Sequence, residues 1–132
     1  MAKTKKVRKA KKPTKKRSDK GKKFAIDVAK IARDKNCTDI VILDLRGKSP
    51  AADFFVIATG TSKRKIHTVC DEIIKFAKVQ KQQLFGKAGL EAARWALLDY
   101  VDVVIHIFDA EYREYYDLEL LWGDAERVEI DE

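Results

Sequence analysis

The chain has 132 residues, 45% hydrophobic and 37% charged, with a formal net charge of +7. That length holds one domain and not two, and no apolar stretch reaches the roughly 20 residues of a membrane-spanning helix. The mean charge hides a division: residues 1–23 hold 13 of the 28 basic residues and one of the 21 acidic ones, a net of +12, which leaves the remainder at −5.

Residues 1–23 have only Met1 and Val7 as larger apolar side chains. Such a segment cannot bury enough surface to offset its ordering entropy, so a disordered basic arm is expected. Its Lys5, Lys6, Arg8, Lys9, Lys11, Lys12, Lys15, Lys16 and Arg17, with no aromatic residue among them, point to attraction for RNA phosphates without reading of bases. The plainer reading is a solubilising tail. No 7–15-residue apolar stretch follows the charges, so no secretory signal is expected. The arm also makes a poor transit peptide, which leans the expectation towards a bacterial, cytoplasmic protein.

The body then reads in chain order. Phe24, Val28, Ile31 and Ala32 fall on one helical face, which predicts a helix over 23–36 that Asn36 closes in a left-handed conformation. Ile40–Leu45 reads as a buried strand. Arg46–Pro50 is a polar turn, and Asp53–Thr59 is a second strand. After Gly60, Thr61 or Ser62 caps a helix to about Gln80, with Ile66, Val69, Cys70, Ile73, Phe76 and Ala77 inward. Leu84–Phe85 is a short candidate strand, ended by Gly86 and Gly89. Arg94–Tyr100 and Val101–Phe108 are further strands. In the second, Val103, Ile105 and Ile107 face one way and Asp102, Val104, His106 and Phe108 the other. Asp109 starts a last helix that ends near Trp122–Gly123, and residues 126–132 form an acidic tail. The order predicts a mixed α/β (α+β) domain over 24–125, with helices covering a sheet of four to five strands.

Three constellations carry possible chemistry. Gly60-Thr61-Ser62-Lys63-Arg64-Lys65 puts a turn, hydroxyls and cations at a helix start, which would favour an anion; the plainer reading is an ordinary capped helix. A nucleotidyltransferase-like enzyme acting on nucleotide or RNA would need paired carboxylates for Mg²⁺. Asp71 and Glu72 fall on a helix about 100° apart, and Asp99 and Asp102 flank a turn, so catalysis is not expected. His106 has no evident nucleophile beside it; it reads as a hydrogen-bonded sheet histidine or, with Asp102 and Val104, as part of a semi-polar docking face near Trp95. Tyr112, Tyr115, Tyr116, Leu118, Leu121 and Trp122 exceed what one helix face buries, so some are expected at the surface or an interface. Cys37 and Cys70 are isolated and expected to be reduced and structural. With His67 and His106 they show no metal-ligand spacing, so neither metal nor cofactor is expected.

The blocks Asp39–Leu45, Asp53–Ser62, Arg94–Phe108 and Arg113–Trp122, in this order, resemble the ribosomal silencing factor family (RsfS, also Iojap or DUF143) over about residues 24–125. The resemblance implies a nucleotidyltransferase-like fold without catalytic residues, binding to the large ribosomal subunit through ribosomal protein uL14, and a steric block on joining of the small subunit. Family members often form homodimers. Carried over by position, the partner-binding residues are Trp95, Asp99, Asp102 and His106, with Lys87 and Gly89 in the preceding turn and Asp71 and Glu72 on the helix. An acidic body suits a basic ribosomal protein, and the arm would add attraction to ribosomal RNA. Two positions depart from the family: Val101 and Ala93 stand where glycine is usual. If that glycine serves a turn at positive φ, valine could not follow it cheaply, so a longer or different turn is expected at Val101.

Overall fold

The computed structural model describes residues 15–130, with side chains from Asp19 onward. Helix α1 (Lys15–Asp34) leads into strands β1 (Thr38–Asp44) and β2 (Phe54–Thr59) and helix α2 (Lys63–Val79). Strands β3 (Gly86–Ala88), β4 (Trp95–Asp99) and β5 (Val103–Phe108) follow, then the short helices α3 (Ala110–Tyr116) and α4 (Leu118–Leu121) and strand β6 (Glu126–Arg127).

One mixed sheet runs β3-β4-β5-β2-β1-β6. Its centre is the parallel pair β2–β5, with Phe54 opposite Val103 and Thr59 opposite Phe108. The other pairings are antiparallel. Every residue of β5 is buried, as expected for a strand covered on both faces.

Helices α1 and α2 cover one face. Phe24, Ala25, Val28, Ala29 and Ala32 of α1 and Ile66, Val69, Cys70, Ile73 and Ala77 of α2 pack on Ile42, Val56, Ala58, Ala96, Leu98, Val103, Ile105 and Ile107. Each large side chain buried this way stabilises the fold by roughly 1.5–3 kcal/mol. The α3–α4 segment covers the other face with a smaller cluster on Leu43, Leu45, Ile57 and Phe108. The alternation expected along β5 is therefore present, with Ile105 and Ile107 on the first face and Phe108 on the second.

Several expectations need correction. The sheet has six strands, not four or five. The added β6 lies in the acidic tail, where Glu126 and Arg127 pair with Asp44 and Leu43; two residues are too few to carry a period-2 pattern. The first helix starts at Lys15, inside the stretch expected as a disordered arm, because its later turns have a core to dock on and propagate back into the lysines. Lys15, Lys16 and Arg17 thus belong to α1, while Lys5, Lys6, Arg8, Lys9, Lys11 and Lys12 lie outside the described residues. Strand β3 falls at Gly86–Ala88 rather than Leu84–Phe85. The last helix is two, broken at Asp117 in left-handed geometry (φ 39°). Asn36 does adopt the left-handed conformation (φ 65°), and Ser62 is the α2 cap, its side chain accepting from the Lys65 N–H.

The β4–β5 turn is tight. The Asp102 N–H donates to the Tyr100 carbonyl at 2.9 Å, and Val101 sits between them at φ 73°, the rare and strained γ-turn conformation. The Asp99 carboxylate accepts from the Val101 N–H at 2.8 Å. The expected relaxation into another turn does not occur. Ala93 also adopts positive φ, 55°. Both departures from family glycine therefore hold glycine-like backbone.

Candidate protein-docking face

The second face of the sheet gathers aromatic rings. Trp95 starts β4 and lies opposite Phe108 of β5; their rings stack at 5.0 Å between centroids. Tyr116 of α3 lies 4.7 Å from Trp95 on the outer side, with Tyr115 edge-on to it at 4.9 Å. Inward, the Trp95 indole N–H donates to His106 Nδ1 at 3.1 Å. The edge of His106 meets Phe55 at 4.5 Å, which in turn meets Trp122 at 6.3 Å.

His106 is 4% exposed, so it supports this face from beneath and is not itself a docking surface. Val104 is buried as well. The expected semi-polar surface of Asp102, Val104 and His106 is corrected accordingly: α3 and Trp122 cover that side of β5. Burial pushes the imidazole down to about 3, so the ring is neutral. With Nδ1 accepting, Nε2 carries the proton, and it meets no hydrogen-bond partner among the described residues.

Short-range ion pairs tie the covering helices down. Asp109 caps α3 by accepting from the Tyr112 N–H at 2.8 Å, and its other oxygen accepts from Arg94 Nε at 2.7 Å. The Arg94 guanidinium lies 4.2 Å above the Tyr112 ring. Arg113 donates to Thr59 Oγ1 and to both Glu119 oxygens, and this pairing holds the Glu119 carboxyl below its usual range. What remains outside is apolar and aromatic: Tyr115 is 80% exposed, Leu120 77% and Leu121 73%. The segment is acidic by sequence, since residues 110–125 hold five Asp/Glu and one Arg, although Glu111, Glu119 and Asp124 pair with Arg94, Arg113 and Lys48.

The remaining candidates are spread more widely. Gly89 is essential to the geometry beside Trp95: at φ 74° a Cβ there would come within 2.1 Å of the Trp95 carbonyl oxygen. Lys87 is exposed on β3 opposite Leu98, which places it on the α1–α2 side. Asp99 is 3% exposed and holds the Val101 turn, about 13 Å along β4 from Trp95 at ordinary strand rise. Asp102 is half-buried in that turn, its backbone carbonyl accepting from the Asp53 and Phe54 N–H groups. Asp71 and Glu72 lie on α2, across the sheet from Trp95. One site therefore does not collect all eight. Phe55, Arg94 and Arg113 were missed as site residues; the Phe54–Phe55 doublet was the available signal, because period-2 alternation sends one ring to each face.

Among the described residues no three His, Cys, Asp or Glu gather as a metal site, and no helix is long and apolar enough to cross a membrane. The fold and this face define a small α+β domain that presents a partly acidic, aromatic surface. Residues 8–132 match the family described as ribosomal silencing factor during starvation, RsfS, and the chain belongs to that family. It is 42% identical over 98 residues to the ribosomal silencing factor RsfS of Halalkalibacterium halodurans, covering 74% of this chain and 84% of the relative. To RsfS of Bacillus subtilis it is 41% identical over 98 residues, covering 74% and 83%. The mouse protein named mitochondrial assembly of ribosomal large subunit protein 1 is 33% identical over 106 residues, covering 77% of this chain and 46% of that one. A crystal structure of a Chromobacterium violaceum protein superposes with a TM-score of 0.72 at 30% identity, covering 80% and 85%. One from Bacillus halodurans gives 0.70 at 34%, covering 84% and 98%.

Proposed function

We propose that this protein is a ribosome-associated translational silencer that docks on the large subunit through ribosomal protein uL14 and sterically blocks joining of the small subunit. One observation supports this beyond family membership: Tyr116 stands exposed beside the supported Trp95 with Tyr115 against it, and Leu120 and Leu121 stand exposed on the helix that follows, in a segment rich in acidic residues. Aromatic anchors with complementary charge are what a basic protein surface would meet. The action needs no chemistry, only a folded body of this size in the way of the other subunit. The names of the bacterial relatives and of the mouse large-subunit assembly protein point the same way.

The test is a sedimentation assay of subunit joining. Large subunits are loaded with the protein at about 150 mM salt, where weak phosphate attraction is screened, and small subunits are added. Native protein lowers joining, and Leu120→Asp restores it. Undiminished joining with native protein overturns the reading. A nucleotidyltransferase-like enzyme is the competing class; a thermal shift that requires nucleotide and Mg²⁺ would favour it. Analytical ultracentrifugation tests the homodimer.

A further inference from the structure

The sheet divides the charge of the body. By sequence, α1 and α2 carry 13 Lys/Arg against five Asp/Glu, the reverse of the balance on residues 110–125 across the sheet. Lys20, Lys23, Lys63, Arg64, Lys75 and Lys78 lie exposed on these two helices. The helices run antiparallel: Phe24, midway along α1, stacks on Phe76 near the end of α2 at 6.0 Å. At the other end Lys35, Arg64 and Lys65 line one depression of about 420 Å³, together with Asp34, Asn36, Ser62 and Thr68.

The two charged layers are on the order of 20 Å apart, twice the ordinary packed-layer spacing of about 10 Å. The screening length at physiological salt is about 8 Å. Neither face therefore cancels the field of the other, and a basic partner on the acidic face is not repelled by the lysines behind it.

We propose that the α1–α2 face is a second docking surface, for the phosphate backbone of double-helical RNA. The rings of these helices are turned inward, Phe24 buried and Phe76 half-buried, so the face has cations for phosphates and no platform for stacking unpaired bases. The apolar side of α1 is spent on the core, which leaves none to enter a membrane. Helix α1 is about 30 Å long at 1.5 Å per residue, enough to follow a backbone across several phosphates. The body would then sit between protein on one side and RNA on the other, with its orientation set by charge.

The probe is a 20-base-pair RNA hairpin, titrated with the full chain from 50 to 300 mM salt and read by fluorescence anisotropy. Lys63→Glu/Arg64→Glu changes two exposed side chains and keeps the Ser62 cap; near-UV circular dichroism checks its fold. It is expected to weaken binding at least tenfold and to reduce the slope of log K against log salt by about 2, near 0.9 per phosphate contact. The same change is made in a full chain with Lys5, Lys6, Arg8, Lys9, Lys11 and Lys12 all replaced by Ala. A similar loss of slope there places the contact on the folded face. If replacing the N-terminal lysines alone abolishes binding, the RNA contact belongs to them, and if binding survives there but the double reversal has no effect, the contact lies elsewhere; either result overturns the inference. Loss of binding to phosphatidylglycerol vesicles but not to RNA would also overturn it. Because the variant leaves the acidic face intact, it keeps its grip on uL14 whether or not this inference holds.

Discussion

The indole N–H of Trp95 donates to Nδ1 of His106 at 3.1 Å, and this one bond fixes both the tautomer of a buried histidine and the tilt of the ring that carries the aromatic face. Burial holds His106 near 3, against about 6.5 in an unfolded chain. As acid is added, the unfolded state takes up this proton first. The stability the group contributes is whole above about pH 6.5 and is lost as pH falls from there towards 3. Urea unfolding at a series of pH values should show a loss on the order of a few kcal/mol from this group. His106→Phe keeps a ring but orphans the indole N–H, costing about 1 kcal/mol at neutral pH, and its stability then falls less steeply with acid than that of the native chain. Parallel curves would show that His106 does not titrate in this way.

Val101 at φ 73° and Ala93 at φ 55° hold conformations that cost an L-residue about 1–2 kcal/mol. Val101 is half-exposed in its turn, so replacing it sacrifices little packing. Val101→Gly should raise stability by about 1 kcal/mol, read as an increase in Tm of a few degrees. Ala93 is 3% exposed, and Ala93→Gly loses a packed methyl group and gains unfolded-state entropy; its net change should be close to zero. A destabilised Val101→Gly would mean that the turn is not strained.

The elements were legible wherever one side of the chain repeats at a clear period. Ile66, Val69, Cys70, Ile73 and Ala77 announced α2, and all five are buried. The parts that were not legible depend on partners distant in sequence. Strand β6 exists only because Asp44 and Leu43 lie alongside it. The first turns of α1 are read as arm because a run of lysines, though compatible with helix, has no apolar face and says nothing of a core that begins at Phe24. The site divided similarly. Trp95 and His106 are eleven positions apart, and their pairing follows from the β4–β5 hairpin. Asp71 and Glu72 came from positional resemblance alone, and the fold puts them across the sheet, which no local pattern could reveal.

Gly89 sits where β3 hands over to the chain leading to Trp95. A Cβ there would stand 2.1 Å from the Trp95 carbonyl oxygen, and φ is 74°. Both strain and collision act on backbone, which has little room to give. Gly89→Ala should therefore cost more than the 1–2 kcal/mol of a left-handed alanine alone, with β3 and the tilt of Trp95 the first to suffer. Thermal unfolding measures the cost, and quenching of Trp95 fluorescence by iodide, in a Trp122→Phe background, measures the tilt. An unchanged Tm would remove Gly89 from the list of residues that shape the face.

Stability and binding should separate cleanly at the outer helix. Leu120 and Leu121 are 77% and 73% exposed, so neither supports the core, and surface substitutions of this kind usually change stability by less than about 0.5 kcal/mol. Leu121→Asp should leave Tm within about 2 °C of native while weakening binding to large subunits ten- to a hundredfold, the loss of about 2 kcal/mol typical of a central interface anchor. Tyr115→Ala should behave alike. Trp95→Ala differs: it removes a ring stacked between Phe108 and Tyr116, so binding and stability fall together. Cosedimentation with large subunits, set beside melting curves of the same preparations, distinguishes the two patterns. If Leu121→Asp binds like the native chain, the exposed leucines are not part of the contact, and the docking surface must be sought nearer the Val101 turn.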